Sequence, residues 1–150
     1  MQKGYALPFF PHEEARRCTA PSHFVFSNSR YCLDFYLPIG IPIRAIDDGV
    51  VIERESRYNT GGHFKRFYRK ANYICVQHTD GKRSLYCHLL WRSVVVRVGE
   101  KVTRGQVIAQ SGMTGYASYP HLHFGLYDAE WKNIPVTFSK LLPKKVSWKK

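Results

Sequence analysis

His121-Leu122-His123 opens a run, His121 to Tyr127, that reads as a β-strand. Side chains two apart on a strand leave from one face, roughly 6.5–7 Å apart along it. One imidazole can then hold a metal while its neighbour reaches the metal's water or a substrate; two partly exposed strand histidines fit the same pattern. His88, in Leu85-Tyr86-Cys87-His88-Leu89, is the next candidate. Alternation aligns it with Tyr86 toward a common groove, although a lone strand histidine is also an ordinary structural residue. Asp34 lies between Leu33 and Phe35 in an otherwise apolar strand, where an unpaired carboxylate is costly. A metal ion would satisfy it, and so would an arginine or a backbone partner. His23 is the remaining imidazole near that segment. Two histidines and one aspartate leave the fourth tetrahedral position open, as in a catalytic zinc site. His12, His63 and His78 fall in expected loops or turns and carry no such signal.

The four cysteines, Cys18, Cys32, Cys75 and Cys87, show no Cys-x-x-Cys spacing of a structural zinc site or redox centre. They serve equally well as small buried apolar residues or as disulfide partners, so they do not fix the compartment. A two-residue turn at Asp80-Gly81 would put Cys75 and Cys87 on opposite faces of their hairpin, against a bond between them.

Short strands must position these residues. The expected ones are Tyr31 to Leu37, Ile41 to Ala45, Gly49 to Glu53, Tyr73 to Gln77, Ser84 to His88, Val94 to Val98, and the strand–glycine turn–strand unit from Val98 through Ala109. No helical periodicity of useful length appears. The fold class is mostly β, a compact antiparallel sheet or barrel-sandwich-like single domain with long loops forming a groove. Residues 1–20 read as an irregular N-terminal segment, 21–142 as the domain and 143–150 as a basic C-terminal tail. The polar and aromatic stretch Arg54 to Ala71 is long for a compact domain and reads as a groove wall, with Phe64, Phe67 and Tyr68 as its apolar surface.

A chain of 150 residues suits one domain with a real core. Lysine and arginine number 23 against 11 acids, for a formal charge of +12. Such a field attracts polyanions: nucleic acid, anionic lipid or an acidic wall polymer. No recognisable nucleic-acid motif accompanies it, so no specific nucleic-acid partner is expected. The glycine-turn rhythm also suits biotin or lipoyl carriers, but neither Met1 nor Met113 has the neighbouring acceptor lysine, which excludes them. No stretch approaches the roughly 20 apolar residues of a transmembrane helix. Ala6 to Pro11 is too short and proline-broken for a signal-peptide core, which leaves the export route open.

Ser22-His23, Leu33-Asp34-Phe35, Leu85 to Leu89 and Pro120 to Phe124 stand in the order seen in the lysostaphin and LytM-type zinc endopeptidases, which this chain resembles over about residues 20 to 128. Asp34 to Val51 is similar to their strand-turn-strand core, and so is Val98 to Ala109, leading to Ser111-Gly112-Met113-Thr114-Gly115. The resemblance implies one zinc ion held by His23, Asp34 and His123, with His88 and His121 as catalytic residues beside the metal's water. It also implies hydrolysis of peptide cross-links in peptidoglycan by a monomer located in the periplasm or at the wall. Many members space the first ligand pair as His-x-x-x-Asp; here Arg30 occupies that position and cannot bind zinc, which leaves His23, as in members with a longer first segment. The insertion, followed by Asn72-Tyr73, looks like Gram-negative members and favours the D-alanyl to diaminopimelate link. The alternative on the same fold is a non-hydrolytic peptidoglycan-binding or regulatory domain; degenerate relatives of that kind typically lack the metal ligands, and all five candidate residues are present here.

Overall fold

The computed structural model describes residues 4–10, 16–18 and 28–139, those at 16–18 by their backbone alone. His12, His23 and the tail 143–150 therefore lie outside the described residues. Within them the chain is built from short strands: β1 (Arg16–Cys18), β2 (Leu33–Tyr36), β3 (Pro42–Arg44), β4 (Gly49–Glu55), β5 (Gly61–Gly62), β6 (Tyr73–His78), β7 (Arg83–Cys87), β8 (Lys101–Val102), β9 (Val107–Gln110), β10 (Gly115–Tyr116), β11 (Leu122–Tyr127) and β12 (Asn133–Ile134). A single 3-10 turn, Lys65–Phe67, is the helical element among the described residues.

An eight-stranded antiparallel sheet runs β1-β2-β11-β7-β6-β4-β8, with β12 beside β11. Two small sheets flank it, β3 with β9 and the parallel pair β5 with β10. Strand alternation sorts the large sheet into two chemical faces. Leu33 and Phe35, Leu122, Phe124 and Leu126, Tyr86, and Ile74 and Val76 are buried in one apolar cluster, joined by Ile43 and Ala109 of the small β3–β9 sheet. The residues between them, Asp34 and Tyr36, His123 and Gly125, and Cys87 and Leu85, project from the opposite face. Register fixes their neighbours: His123 pairs with Asp34 on one side and with Cys87 on the other.

Several expectations are corrected. Val94 to Val98 forms no strand; Val94 and Val96 are buried while Val95 and Val98 are exposed, and the Val95 N–H donates to the Ile108 carbonyl. Arg54 and Glu55 belong to β4, so the long excursion begins at Ser56. Within 1–20, Tyr5, Leu7 and Phe9 are buried and β1 extends the sheet beside β2. The β6–β7 hairpin turns through Thr79–Gly81, three residues instead of two, with Gly81 at φ 84° and its N–H donating to the His78 carbonyl. Tyr73 then faces Cys87 and Cys75 faces Leu85, which puts Cys75 and Cys87 on the same face, offset by one pair. Both are free thiols, as is Cys32.

His78, expected in a turn, is buried at the end of β6. Its Nδ1 lies 2.8 Å from the Asp48 carbonyl and its Nε2 2.8 Å from Ser84 Oγ, which is 3.0 Å from Tyr86 Oη. The Ile46 N–H donates to that same phenol oxygen at 2.9 Å. Tyr86 thus carries a polar chain through the apolar core. Tyr86→Phe strands the Ile46 N–H and is expected to cost about 1–3 kcal/mol. Urea unfolding measures this; an unchanged midpoint would show the phenol to be dispensable.

Candidate functional site

Asp34 and His123 meet because antiparallel pairing puts them directly opposite each other, on the face away from the core. His123 Nδ1 lies 2.8 Å from Asp34 Oδ1, and the Asp34 carboxylate is 3% exposed. Burial alone would lower the His123 pKa; hydrogen bonds to Asp34 and to the Cys32 side chain, with their charges, outweigh it and hold it at about 9. His121 stands just before β11 on the same side, with Nε2 3.9 Å from Asp34 Oδ1. Its Nδ1 is 2.9 Å from the Tyr119 carbonyl. A carbonyl can only accept, so Nδ1 carries the proton and, in the neutral ring, Nε2 presents the lone pair.

His88 reaches the site by a route that alternation does not reveal. Tyr86 points into the core, and His88 lies past the end of β7 with φ 65°, in the left-handed region. That turn corrects the expected alignment of His88 with Tyr86 and brings its ring 4.6 Å from the ring of His121 and 6.0 Å from that of His123. His88 Nδ1 donates to the Thr114 carbonyl at 2.6 Å. Burial, then the charges of His121 and His123, push its pKa down to about 3. At neutral pH His88 is thus uncharged, protonated on Nδ1 and basic at Nε2.

Four of the five predicted site residues therefore converge, and the fifth, His23, lies outside the described residues. Among the described residues no group of three His, Cys, Asp or Glu side chains is set to hold an ion. What they supply is a pair, a carboxylate oxygen and an imidazole nitrogen facing each other. Zinc bonds of about 2.0–2.1 Å to tetrahedral donors need those atoms about 3.3 Å apart, a small widening of the observed contact. The donor chemistry fits zinc with one further ligand. Burial pushes the Cys75 thiol up to about 12 and raises that of Cys87 as well.

The excursion after β4, expected as a groove wall, packs on the segment around β10. β5 pairs with β10 through Gly61–Gly115 and Gly62–Tyr116. The approach demands glycine: a Cβ on Gly61 would collide with the Met113 carbonyl oxygen, and Gly115, at φ 81°, has Ala71 where its own Cβ would be. Tyr68 packs on Tyr116 at 4.6 Å, and Ser118 Oγ lies 2.7 Å from His63 Nδ1. The Tyr119 ring lies 5.0 Å from that of His121 and 4.7 Å from that of Tyr36, so a tyrosine packs directly on the histidine group. His63 and Tyr119 were missed in the sequence; only their nearness to the Gly-Gly pair and to His121 marks them.

The sequence pattern of peptidase family M23 matches residues 28–135. The chain belongs to that family. It is 40% identical over 97 residues to the glycyl-glycine endopeptidase ALE-1 of Staphylococcus capitis, covering 64% of this chain and 24% of that protein. It is 36% identical over 118 residues to the peptidoglycan DD-endopeptidase ShyA of Vibrio cholerae, covering 75% and 24%. The chain thus spans about a quarter of the length of these curated relatives. Among solved structures, the catalytic domain of lysostaphin from Staphylococcus simulans superposes with a TM-score of 0.53 at 31% identity, covering 84% of this chain and 77% of that one. A zinc-containing peptidase from Vibrio cholerae gives 0.58 at 27% identity, covering 94% and 36%. The M23 assignment agrees with the mostly antiparallel fold and with the order of motifs along the chain. Among the described residues of this M23 member no helix is long and apolar enough to cross a membrane.

Proposed function

We propose that the chain is a zinc-dependent endopeptidase that hydrolyses peptide cross-links of bacterial peptidoglycan, with the D-alanyl to diaminopimelate link as its preferred bond. The observation that carries this reading is the placing of two kinds of imidazole side by side. His123 Nδ1 faces the Asp34 carboxylate, while His88 and His121 have Nδ1 tied to carbonyls and the lone pair on Nε2. Asp34 and His123 would hold zinc, with His23 as the third ligand. Bound zinc supplies a water acidified to a pKa of about 7 and polarisation of the scissile carbonyl.

The chain's own part is proton handling and orientation. His88 Nε2 or His121 Nε2 takes the proton of the attacking water, and the resulting imidazolium delivers it to the leaving amine. Once protonated, that Nε2–H also donates to the oxygen on which negative charge develops. The Thr114 and Tyr119 carbonyls keep both rings in the tautomer this needs.

The ShyA likeness and the long wall after β4 support the D-alanyl to diaminopimelate link over a glycine bridge, and the +12 charge supports docking on an anionic wall, in the periplasm or at the cell surface. Purified sacculi should release muropeptides with this protein. Release should stop with a zinc chelator and return when zinc is restored, with mass spectra assigning the cut bond. Release undiminished by the chelator would exclude the zinc reading, and glycine-terminated products would move the specificity to the bridge.

A further inference from the structure

Asn72 stands at the foot of the wall, fully buried at 0% exposure, and every polar group it has is engaged. Its backbone N–H donates to Thr114 Oγ1 at 3.1 Å, and its carbonyl accepts from the Leu89 N–H at 3.1 Å. Its Nδ2 donates to the Tyr58 carbonyl at 2.7 Å and to the Leu89 carbonyl at 3.2 Å, while Oδ1 accepts from the Tyr58 N–H at 3.0 Å. Thr114 completes the ring of contacts, its hydroxyl donating to the Leu89 carbonyl at 2.7 Å.

Two facts give this cluster a bearing on chemistry. Leu89 follows His88, whose left-handed backbone is unfavourable for a non-glycine residue and persists only where the surroundings hold it. Thr114 is the residue whose carbonyl grips the His88 ring. Asn72 thus holds both peptide groups of Leu89, the N–H through its backbone carbonyl and the carbonyl through its side-chain amide, and its backbone N–H bonds Thr114, whose own carbonyl is the partner of His88 Nδ1.

We propose that Asn72, acting with Thr114, is a positioning residue that sets the backbone and the ring orientation of His88, and that it ties this orientation to the 57–71 wall through Tyr58. This rests on the peptidase reading for its catalytic consequence and on hydrogen bonding for its structural one. Asn72 touches no substrate; it acts through His88. Because the same side chain brackets Tyr58, a shift of the wall reaches His88 without passing through the metal ligands.

Thr114→Val and Asn72→Ala test it, with Thr114→Ser as the conservative control. Thr114→Val keeps the backbone carbonyl and the side-chain volume while removing the hydroxyl. It should fold, bind zinc as the unaltered protein does, and lose about 100-fold in kcat with KM little changed. Thr114→Ser should recover most of that loss. Nitrogen-15 imidazole spectra give a readout independent of hydrolysis: His88 should be one Nδ1-protonated tautomer in the unaltered protein and a tautomer mixture in Thr114→Val and Asn72→Ala. Should Asn72→Ala fail to fold, Thr114→Val and its serine control decide alone. Variants with a lowered unfolding midpoint but unchanged kcat and unchanged His88 spectrum overturn the proposal, leaving Asn72 a structural residue. An unaltered protein that releases no muropeptide overturns the peptidase reading instead, and the spectra still decide the positioning.

Discussion

Replacing His123 with alanine is expected to strip the protein of zinc and of hydrolytic activity together. His123 contributes one of two donors among the described residues that already face each other, and without it the proposed set falls to Asp34 and His23, one short of the three protein ligands of a catalytic zinc. The substitution also takes from the buried Asp34 carboxylate its imidazole partner at 2.8 Å. Removing one partner of a buried charged pair typically costs about 3–5 kcal/mol, so a lower unfolding midpoint should accompany the loss. Asp34→Asn separates the two effects. It keeps the volume and an oxygen that accepts from His123, but it removes the negative charge that the cation needs. It should therefore bind zinc more weakly than the unaltered protein while losing less stability than His123→Ala. Metal content per folded protein is the deciding measurement, because activity alone cannot tell a lost ligand from a lost base. Full zinc occupancy in folded His123→Ala would remove this residue from the ligand set.

The reason Asp34 and His123 were legible in the sequence is that strand alternation acts locally. A carboxylate between Leu33 and Phe35, and an imidazole between Leu122 and Phe124, must each leave the sheet on the side away from the apolar cluster. That both sit on neighbouring strands in direct register comes from the β2–β11 pairing and could not be read from the order of motifs. The same rule misplaced His88, because alternation presumes extended backbone and the chain leaves that conformation one residue after β7. No residue type there announces the change; glycine or asparagine would have done so.

Turn length caused the other error. One extra residue at Thr79–Gly81 shifts the hairpin register and brings Cys87 to the face of Cys75. Val94 to Val98 shows the limit of composition: its four valines suit a strand, but a strand needs a ladder, and the chain bonds there only in single contacts. In the sequence Asn72 stands out only as part of Asn72-Tyr73 after the insertion, and nothing there marks its bonds. A buried amide is recognised by the five groups it joins, and those come from Tyr58, Leu89 and Thr114, far apart in the chain.

His121→Ala should behave in the opposite way to His123→Ala: zinc retained, hydrolysis lost by about 10²–10⁴-fold, the range of general acid–base catalysis. The expectation comes from which nitrogen each ring commits. His123 turns Nδ1 to Asp34, whereas His121 and His88 spend Nδ1 on the carbonyls of Tyr119 and Thr114 and keep Nε2 for chemistry. His88→Ala should likewise keep zinc. The double variant discriminates between shared and separate roles: if one ring is the base and the other the acid of one proton path, the second substitution adds far less than the first, since effects of groups acting as a unit are not additive. Loss of zinc in folded His121→Ala would place that ring among the ligands, and near-normal kcat with zinc bound would take it out of the proton path.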